Sequence, residues 1–404
     1  MQTIVSQSAR AVSDAAIEQG PPGNGAERLL AAARDLAPAV AARAEEIERS
    51  RRIPQDLIEA LRATGVFKAL VPSSHGGFGL CIPDVLPVLE TLAAADGSVG
   101  WVTMVSLSSQ LFCSRLPRAL YDELFGGSAA PMVIGAGTPA GRAEKVPDGY
   151  RVTGRWPFAS GCQHAQWIAG HCVVWEDGKP AMVDESPVML FAALPADHWR
   201  IEETWNVSGL AATGSHHIVL DRAEVPESQT CDMIHGSSCL PGLFEAPFLA
   251  FLPVVHAAVG VGIASGAFDD LVTVANGNRR QLFATSDLRH STIFQHEVGR
   301  VGAELRAAKA LLDVQSAVLR SRPLDAKADF TEALQAGAWI HAACAKVVDR
   351  CYELAGSAVL TSPLERRLRD IHMTGQHVFA GERFYAKAGA LHLGFPAVDP
   401  LFGR

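Results

Sequence analysis

The sequence predicts an α+β fold in which a helical N-terminal region, a central β region and a helical C-terminal region follow one another. Three observations predict this order. Apolar residues recur at spacings of three and four between residue 26 and about residue 127. From about residue 131, short apolar runs are separated by Gly and Pro, and a helical stripe returns after about residue 248. Because strands and helices do not alternate, a doubly wound parallel sheet is excluded.

The N-terminal region divides into an arm and a helical domain. Residues 1–25 are rich in Gln, Ser, Ala and Gly and end in a Gly-Pro-Pro-Gly-Asn-Gly breaker, which indicates a flexible arm. Residues 26–128 follow as a helical domain, in which Pro54 opens a helix and a Gly-rich turn at 73–79 interrupts the pattern. Its first amphipathic stripe consists of Leu29, Leu30, Ala33, Leu36 and Val40.

The middle region, residues 129–235, is predicted to form a small antiparallel sheet or barrel. Each predicted strand is a short apolar run bounded by turn residues. The predicted strands are Met132–Ala136, Tyr150–Pro157, Trp167–Val174, Val188–Ala193 and His217–Leu220.

The C-terminal region, residues 236–404, is predicted to be a helical bundle. Apolar residues spaced four, three, four, three and four positions apart indicate a long helix with one face toward the core, and Pro323 ends this helix. Residues 330–354 are predicted to form the next helix. The core-facing residues of the first of these helices are Phe294, Val298, Val301, Leu305, Ala308 and Leu312.

Composition excludes several classes of function. The net charge of −8 leaves no basic footprint for nucleic acid. None of the eight cysteines forms Cys-x-x-Cys, so reduced thiols in a cytoplasmic protein are expected. No secretory leader is expected, because residues 1–25 have no continuous apolar core, and no apolar run is expected to reach the roughly 20 residues of a membrane span. The histidines show no spacing typical of metal ligands, and no metal is expected.

One glycine pattern imitates a dinucleotide-binding fingerprint. Residues 260–266 read Gly-Val-Gly-Ile-Ala-Ser-Gly, with one residue too many before the last Gly. The segment lies within a helical run, and no strand-end acid follows at the right distance. Small residues at Ala258, Gly262 and Gly266 are more simply explained by close packing of helices.

Three segments carry a resemblance to a known family. The tail Ser362–Gly389 contains a Leu-Glu-Arg step followed by Arg-Asp, Gly154–Gly161 forms an aromatic and hydroxyl-bearing turn, and Trp205–Ser215 contains Gly-Leu-Ala-Ala-Thr-Gly-Ser. These segments resemble signatures of the acyl-CoA dehydrogenase superfamily, and the resemblance covers roughly residues 26–394. It implies a helical N-terminal domain, a middle β-barrel or sandwich domain and a C-terminal four-helix bundle.

Two departures from the dehydrogenase pattern indicate a branch of that superfamily. The dehydrogenases place a catalytic Glu about nine residues after the Arg equivalent to Arg369, but this chain has Val378 there, with His377 beside it. Thr138-Pro stands where the dehydrogenases have Thr-Glu. The chain therefore resembles the oxygenase components of two-component flavin monooxygenases, a branch similar to the oxygenases for p-hydroxyphenylacetate and dibenzothiophene.

The resemblance implies cofactor contacts for five residues. Phe158 and Ser160 would contact the flavin ring, and Thr138 would lie beside its pyrimidine portion. Arg279, or its neighbour Arg280, would bind a cofactor phosphate. Gly356 would lie against the far end of the cofactor. The missing double Gly at this last turn favours FMN over FAD, although FAD stays possible.

The resemblance also implies two catalytic residues. Ser160 would hold a C4a-hydroperoxide near flavin N5, and His377 would activate or orient the substrate. His372, five residues earlier, is expected on a different face of its helix.

These inferences combine into a functional prediction. Reduced FMN (FMNH2) from a separate NAD(P)H:flavin reductase would react with O2, and the enzyme would hydroxylate a small phenol- or indole-type substrate. The helix at 101–112 would line the pocket, and family likeness implies a homotetramer. Sulfur or nitrogen oxygenation stays open, as do an FAD-dependent acyl-CoA dehydrogenase, for which only Glu382 offers a nearby carboxylate, and a non-enzymatic binding scaffold.

Overall fold

The computed structural model describes residues 24–128, 130–183, 186–232, 236–240, 250–277, 280, 286–321 and 327–396. All but the last two residues of the predicted N-terminal arm lie outside this part. The helical N-terminal region that was predicted is confirmed. Its helices are α1 (Asn24–Ala42), α2 (Ala44–Ser50), α3 (Gln55–Thr64), α4 (Ile82–Ala95), α5 (Gly97–Cys113) and α6 (Arg118–Phe125).

Helix α5 is the helix that was predicted to line the pocket, and it is buried along nearly its whole length. Its start is fixed by Asp96, whose carboxylate accepts hydrogen bonds from the backbone N–H groups of Ser98 and Val99. A capped and enclosed helix is a rigid support for the side chains that it presents to the rest of the molecule.

The middle region is a mixed sheet, whereas an antiparallel sheet was predicted. The strands are β1 (Val133–Val146), β2 (Gly149–Ala159), β3 (Trp167–Glu176), β4 (Lys179–Pro180), β5 (Met182–Val183), β6 (Ser186–Pro187), β7 (Met189–Pro195), β8 (Arg200–Glu202), β9 (His216–Pro226) and β10 (Thr230–Cys231). Their order in the sheet is β10-β7-β3-β1-β2-β9-β8, β4 pairs antiparallel with β3, and β5 and β6 form a separate two-stranded sheet.

The antiparallel prediction failed at one pair, because β1 and β3 run parallel. Strand β2 folds back on β1 as a hairpin, and the turn after β2 then carries the chain to the opposite side of β1. A strand that reverses direction after β2 must run parallel to β1. The crossing turn, residues 160–166, contains Ser160.

The C-terminal helices pack around a central buried helix. They are α7 (Leu252–Asn276), α8 (Thr292–Ser321), α9 (Ala328–Ala355), α10 (Leu364–Thr374) and α11 (Phe384–His392). Helix α7 contacts α4, α5, α8, α9 and α10. A Cβ added at Gly262 would come within 2.5 Å of the Glu90 carbonyl oxygen of α4, and one at Gly260 would come within 3.1 Å of His341 Nδ1. Gly262 therefore allows close helix packing, as was inferred from the sequence, and Gly260 does the same against α9.

Helix α7 also corrects the expectation about apolar runs. It has 25 residues and is long and apolar enough, by length and composition, to cross a membrane. However, most of its most apolar stretch is buried inside the structure, and buried core helices of globular proteins pass the same test. The contacts of α7 with its neighbouring helices account for its apolar composition.

The tail is not one continuous helix, although His372 and His377 were expected on different faces of the same helix. Helix α10 ends at Thr374, a 3-10 helix spans Val378–Ala380, and α11 begins at Phe384. His377 lies at the N-terminal cap of the 3-10 helix and not within an α-helix. Gly375 and Gly381 bracket this break, which turns the His377 ring toward α5 and α7.

Candidate active site

Four aromatic rings from three parts of the chain form a cluster, which we call the imidazole cluster: Trp101, His256, His377 and Phe379. The rings of His256 and His377 stack with centroids 4.2 Å apart and planes 18° apart. Trp101 meets both edge-on, at 5.2 Å from His256 and 5.4 Å from His377. Phe379 lies 5.3 Å from His256 and 5.2 Å from His377. Helices α5 and α7 and the tail thus converge here.

Burial keeps the imidazoles of this region neutral. It lowers the pKa of His256 to about 4, although a hydrogen bond to the Leu252 carbonyl opposes the shift. Burial and the nearby His256 lower the pKa of His341 to about 3. The pKa of His377 is lowered well below its usual value by burial first and by His256 and His341 second. No carboxylate is among the groups that shift the pKa of these histidines.

A chain of hydroxyl groups extends from the imidazole cluster into the β domain. Trp101 Nε1 donates to Ser160 Oγ over 3.2 Å, and Ser160 Oγ lies 2.6 Å from Ser215 Oγ. Thr213 Oγ1 lies 2.7 Å from Ser215 Oγ and donates to the Leu210 carbonyl over 2.9 Å. Since Thr213 gives its proton to that carbonyl, Ser215 must donate to Thr213, and Ser160 must donate to Ser215. Ser160 Oγ, which also accepts from Trp101, is therefore left with a lone pair for a ligand.

A buried carboxyl group ties the two halves of the site together. Asp370 on α10 accepts a hydrogen bond of 2.6 Å from the Leu210 backbone N–H, which lies just before the Thr213 turn. Burial and the neighbouring Asp96 raise the pKa of Asp370 to about 7. Asp370 precedes His377 by seven residues, so this contact joins the tail to the segment that leads into the hydroxyl chain.

Two of the three predicted cofactor residues of the β domain, Phe158 and Thr138, are exposed, whereas Ser160 is buried. Phe158 is 64% exposed and has a φ of 64°, a conformation that is rare for a bulky residue. Thr138 is exposed, in the segment where the register of β1 shifts between Ala136 and Gly141. His171 Nδ1 donates to the Gly137 carbonyl over 3.0 Å and holds this segment.

These residues fit a flavin. A flat, partly polar ring can cover the exposed aromatic face of Phe158 and the exposed hydroxyl of Thr138, and it can approach the Gly-rich backbone beside Thr138. Phe158, Thr138 and Ser160 would hold the ring, as the resemblance implied.

The remaining site predictions have mixed outcomes. Arg279 lies outside the described residues, whereas Arg280 is exposed, with its Nε 3.6 Å from Asp287. Gly356 is exposed at the end of α9 with φ 55° and ψ −137°, a conformation that suits glycine. Their cofactor contacts stay predictions.

Val378 and Glu382 are exposed, and the prediction that His372 faces elsewhere is confirmed by its hydrogen bond of 2.7 Å to Asp349.

Sequence reasoning missed His256, His341 and Ser215. A signal for His256 was present, because it is a lone polar residue in the apolar run Leu-Pro-Val-Val-His-Ala-Ala-Val. A buried polar side chain needs a partner or a function. No signal in the sequence could show that it stacks on His377, 121 positions later. Within the described residues, no group of three or more His, Cys, Asp or Glu side chains could hold a metal ion.

Comparison with known families supports the same architecture. The acyl-CoA dehydrogenase N-terminal domain matches residues 25–119, and the acyl-CoA dehydrogenase C-terminal domain matches residues 254–382. The two matches cover both helical regions, including the segments that carry Trp101, His256 and His377.

Individual relatives match along nearly the whole chain. An indole-3-acetate monooxygenase from Pseudomonas putida is 33% identical over 95% of this chain and 96% of its own length. The oxygenase component of an FADH2-dependent resorcinol hydroxylase from Rhizobium sp. is 29% identical over 87% of this chain and 90% of its own.

Two solved structures share the fold. XiaF from Streptomyces sp., in complex with FADH2 and glycerol, is 24% identical with a TM-score of 0.84, over 92% of this chain and 96% of its own. TdsC from Paenibacillus sp., with FMN and indole, is 18% identical with a TM-score of 0.79, over 93% of this chain and all of its own.

Proposed function

Because this chain belongs to the acyl-CoA dehydrogenase superfamily and, within it, to the flavin-dependent monooxygenases, we propose that it is the oxygenase component of a two-component enzyme. In this proposal it uses reduced flavin and O2 to hydroxylate a small aromatic substrate. Proposed with it are a separate NAD(P)H:flavin reductase, a homotetrameric assembly and a cytoplasmic location.

The observation that carries the proposal is the neutral imidazole cluster next to the hydroxyl chain. A dehydrogenase must remove a proton from the carbon next to a thioester, and that step needs a carboxylate or another strong base. His256 and His377 are neutral, Val378 is apolar, and Glu382 is exposed. This arrangement can orient a neutral aromatic ring by stacking and hydrogen bonding, which oxygen transfer to that ring requires.

Reduced flavin is the proposed cofactor, as FMN or, alternatively, FAD. When bound, it supplies the electrons that activate O2, with a C4a-hydroperoxyflavin as the proposed oxygen donor. Phe158 and Thr138 would position the ring, and Ser160 Oγ would accept a hydrogen bond from the bound cofactor. Both flavins stay in the proposal, since one solved neighbour holds FADH2 and another holds FMN.

The proposed substrate is an indole or a phenol. One relative is named for indole-3-acetate and another for resorcinol, and both compounds are flat rings that carry an N–H or O–H group. Trp101 and Phe379 would enclose such a ring and exclude water. His377 would hydrogen-bond to a ligand at the boundary between substrate and flavin.

An anaerobic mixing experiment tests the proposal. The protein is mixed with reduced FMN or reduced FAD, then with oxygenated buffer, and the flavin absorbance is followed. We expect a transient that outlives the oxidation of free reduced flavin and a hydroxylated product when indole or resorcinol is added. Oxidation at the rate of free flavin, with both flavins, would overturn the proposal.

A further inference from the structure

The backbone partners of the two stacked histidines fix where each ring carries its proton. His256 Nδ1 lies 2.7 Å from the Leu252 carbonyl oxygen. A carbonyl can only accept, so His256 must carry its proton on Nδ1. Because burial keeps this ring neutral, its Nε2 bears a lone pair and is a hydrogen-bond acceptor.

His377 has the opposite arrangement. Its Nδ1 accepts a hydrogen bond from the Phe379 backbone N–H over 3.4 Å. A backbone N–H can only donate, so the neutral ring carries its proton on Nε2. His377 therefore presents its Nε2–H as a donor. Its unprotonated nitrogen, Nδ1, already accepts the hydrogen bond from Phe379. This geometry makes His377 a hydrogen-bond donor to a ligand, so of the two roles that the resemblance implied it supports orienting the substrate.

Both Nε2 atoms are left for a ligand. Neither has a hydrogen-bond partner in the described part of the chain, and neither is fully enclosed by protein. The third histidine differs, because His341 Nε2 is enclosed without a partner, while its Nδ1 lies 3.4 Å from Thr374 Oγ1. Thr374 gives its own proton to the Ile371 carbonyl over 2.7 Å, so His341 also donates through Nδ1.

From this split we infer that His256 is a specificity-determining residue, whose Nε2 accepts the ring N–H or O–H of the aromatic substrate, while His377 is the paired donor. The inference rests on the proposed function and assigns the substrate contact within it. Site groups that accept a hydrogen bond select strongly against a substrate analogue that lacks the hydrogen, because the acceptor is then buried without a partner. The predicted substrate class is thus an aromatic compound with a free ring N–H or O–H.

The test compares pairs of ligands in which a methyl group replaces the N–H or O–H hydrogen. Indole and 1-methylindole, and likewise phenol and anisole, are titrated anaerobically into the protein with reduced FMN or reduced FAD present, and the dissociation constants are measured. We expect wild type to bind the N–H or O–H member at least about tenfold more tightly, as loss of one buried hydrogen bond implies. In His256→Phe, which keeps a flat ring against His377, that ratio should fall to about one.

Two further variants separate the loss of the acceptor from misfolding and from the loss of the donor. His256→Gln offers a carbonyl acceptor and should restore part of the ratio. If His256→Phe fails to fold, His256→Leu, which also lacks an acceptor, takes its place. His377→Phe removes the donor and should leave the ratio at the wild-type value.

Each outcome decides the inference. A ratio that persists in a folded His256 variant without an acceptor, or that is lost in His377→Phe but not in His256→Phe, would overturn it. So would wild type that binds neither N–H nor O–H ligands. A normal flavin transient together with an unchanged ratio would overturn this inference alone, whereas the absence of any flavin transient would overturn the proposed function.

Discussion

The two sides of the candidate site differ in how far their side chains are already packed and hydrogen-bonded within the protein. On the side of the helices, Trp101, His256 and His377 are packed against one another, and backbone groups fix the ring nitrogens of the two histidines. On the side of the sheet, Phe158 is largely exposed at a positive φ and Thr138 faces solvent. The helical side is organised before a ligand arrives, whereas the sheet side offers surfaces that a ligand must cover.

This contrast fits a division of labour between substrate and cofactor. A preorganised pocket selects its substrate by fixed hydrogen bonds, since no side chain has to be rearranged on binding. An exposed face suits a diffusible flavin that enters and leaves in each cycle. Ser160 lies between the two sides, because it is bonded to Trp101 and belongs to the turn that follows Phe158.

The largest expected effect comes from removing the ring that supports both sides. Trp101→Ala should lower the free energy of unfolding by about 3–5 kcal/mol, because it empties a buried space and removes the donor to Ser160. Phe158→Ala should change it by less than about 0.5 kcal/mol, since that side chain is exposed. Urea unfolding of both variants measures the difference. Equal losses would contradict the contrast between the two sides.

Loss of the imidazole donor should affect the reaction more than the fold. His377→Ala should lower hydroxylation about 100-fold, which is typical for removal of one positioned proton-bearing group. Reduced flavin should still be oxidised, with hydrogen peroxide replacing product. Quantifying product and peroxide together checks this, and His372→Ala, an exposed histidine on the same tail, serves as control. Full coupling in the His377 variant would remove it from the mechanism.

The neutral state of His256 predicts a pH-dependent stability. Its folded pKa of about 4 lies below the usual value of about 6.5, so the unfolded chain binds the proton more readily. The effect of His256 on the free energy of unfolding is therefore nearly constant above pH 6.5, and the folded state is destabilised as the pH falls from 6.5 toward 4. Between pH 7 and pH 5 His256 should lower the free energy of unfolding by about 2 kcal/mol.

The comparison with His256→Phe isolates that effect. The raised pKa of Asp370 acts in the opposite direction over part of this range, and His341 and His377 act in the same direction. Because these groups are present in both proteins, subtracting one stability profile from the other removes most of their contributions. Parallel profiles from pH 7 to pH 5 would mean that His256 is not held neutral by burial.

The smallest effect is expected on the exposed side. Phe158→Ala should weaken binding of reduced flavin about tenfold, as expected when one stacking aromatic face is lost. Binding of indole in the presence of saturating flavin should stay at the wild-type value. Anaerobic titration of each ligand measures both. A variant that binds flavin normally but indole poorly would place Phe158 on the substrate side.

The order of the three regions was predictable because helix and strand periodicities are local properties of the sequence. The parallel pairing of β1 with β3 was not, since it depends on where the turn at 160–166 crosses the sheet. Likewise, His377 was found through a resemblance within its own segment. Its stacking on His256 and the hydrogen bond from Trp101 to Ser160 join distant segments, and only packing brings them together.

The most direct test of the account follows the oxygen atom. The protein is supplied with chemically reduced FMN or FAD, indole or resorcinol, and ¹⁸O₂, and the product is analysed by mass spectrometry. The account predicts a hydroxylated product that contains one ¹⁸O atom, with the other atom released as water. A product whose new oxygen comes from the solvent, or flavin oxidation that yields only peroxide with every substrate and both flavins, would contradict it.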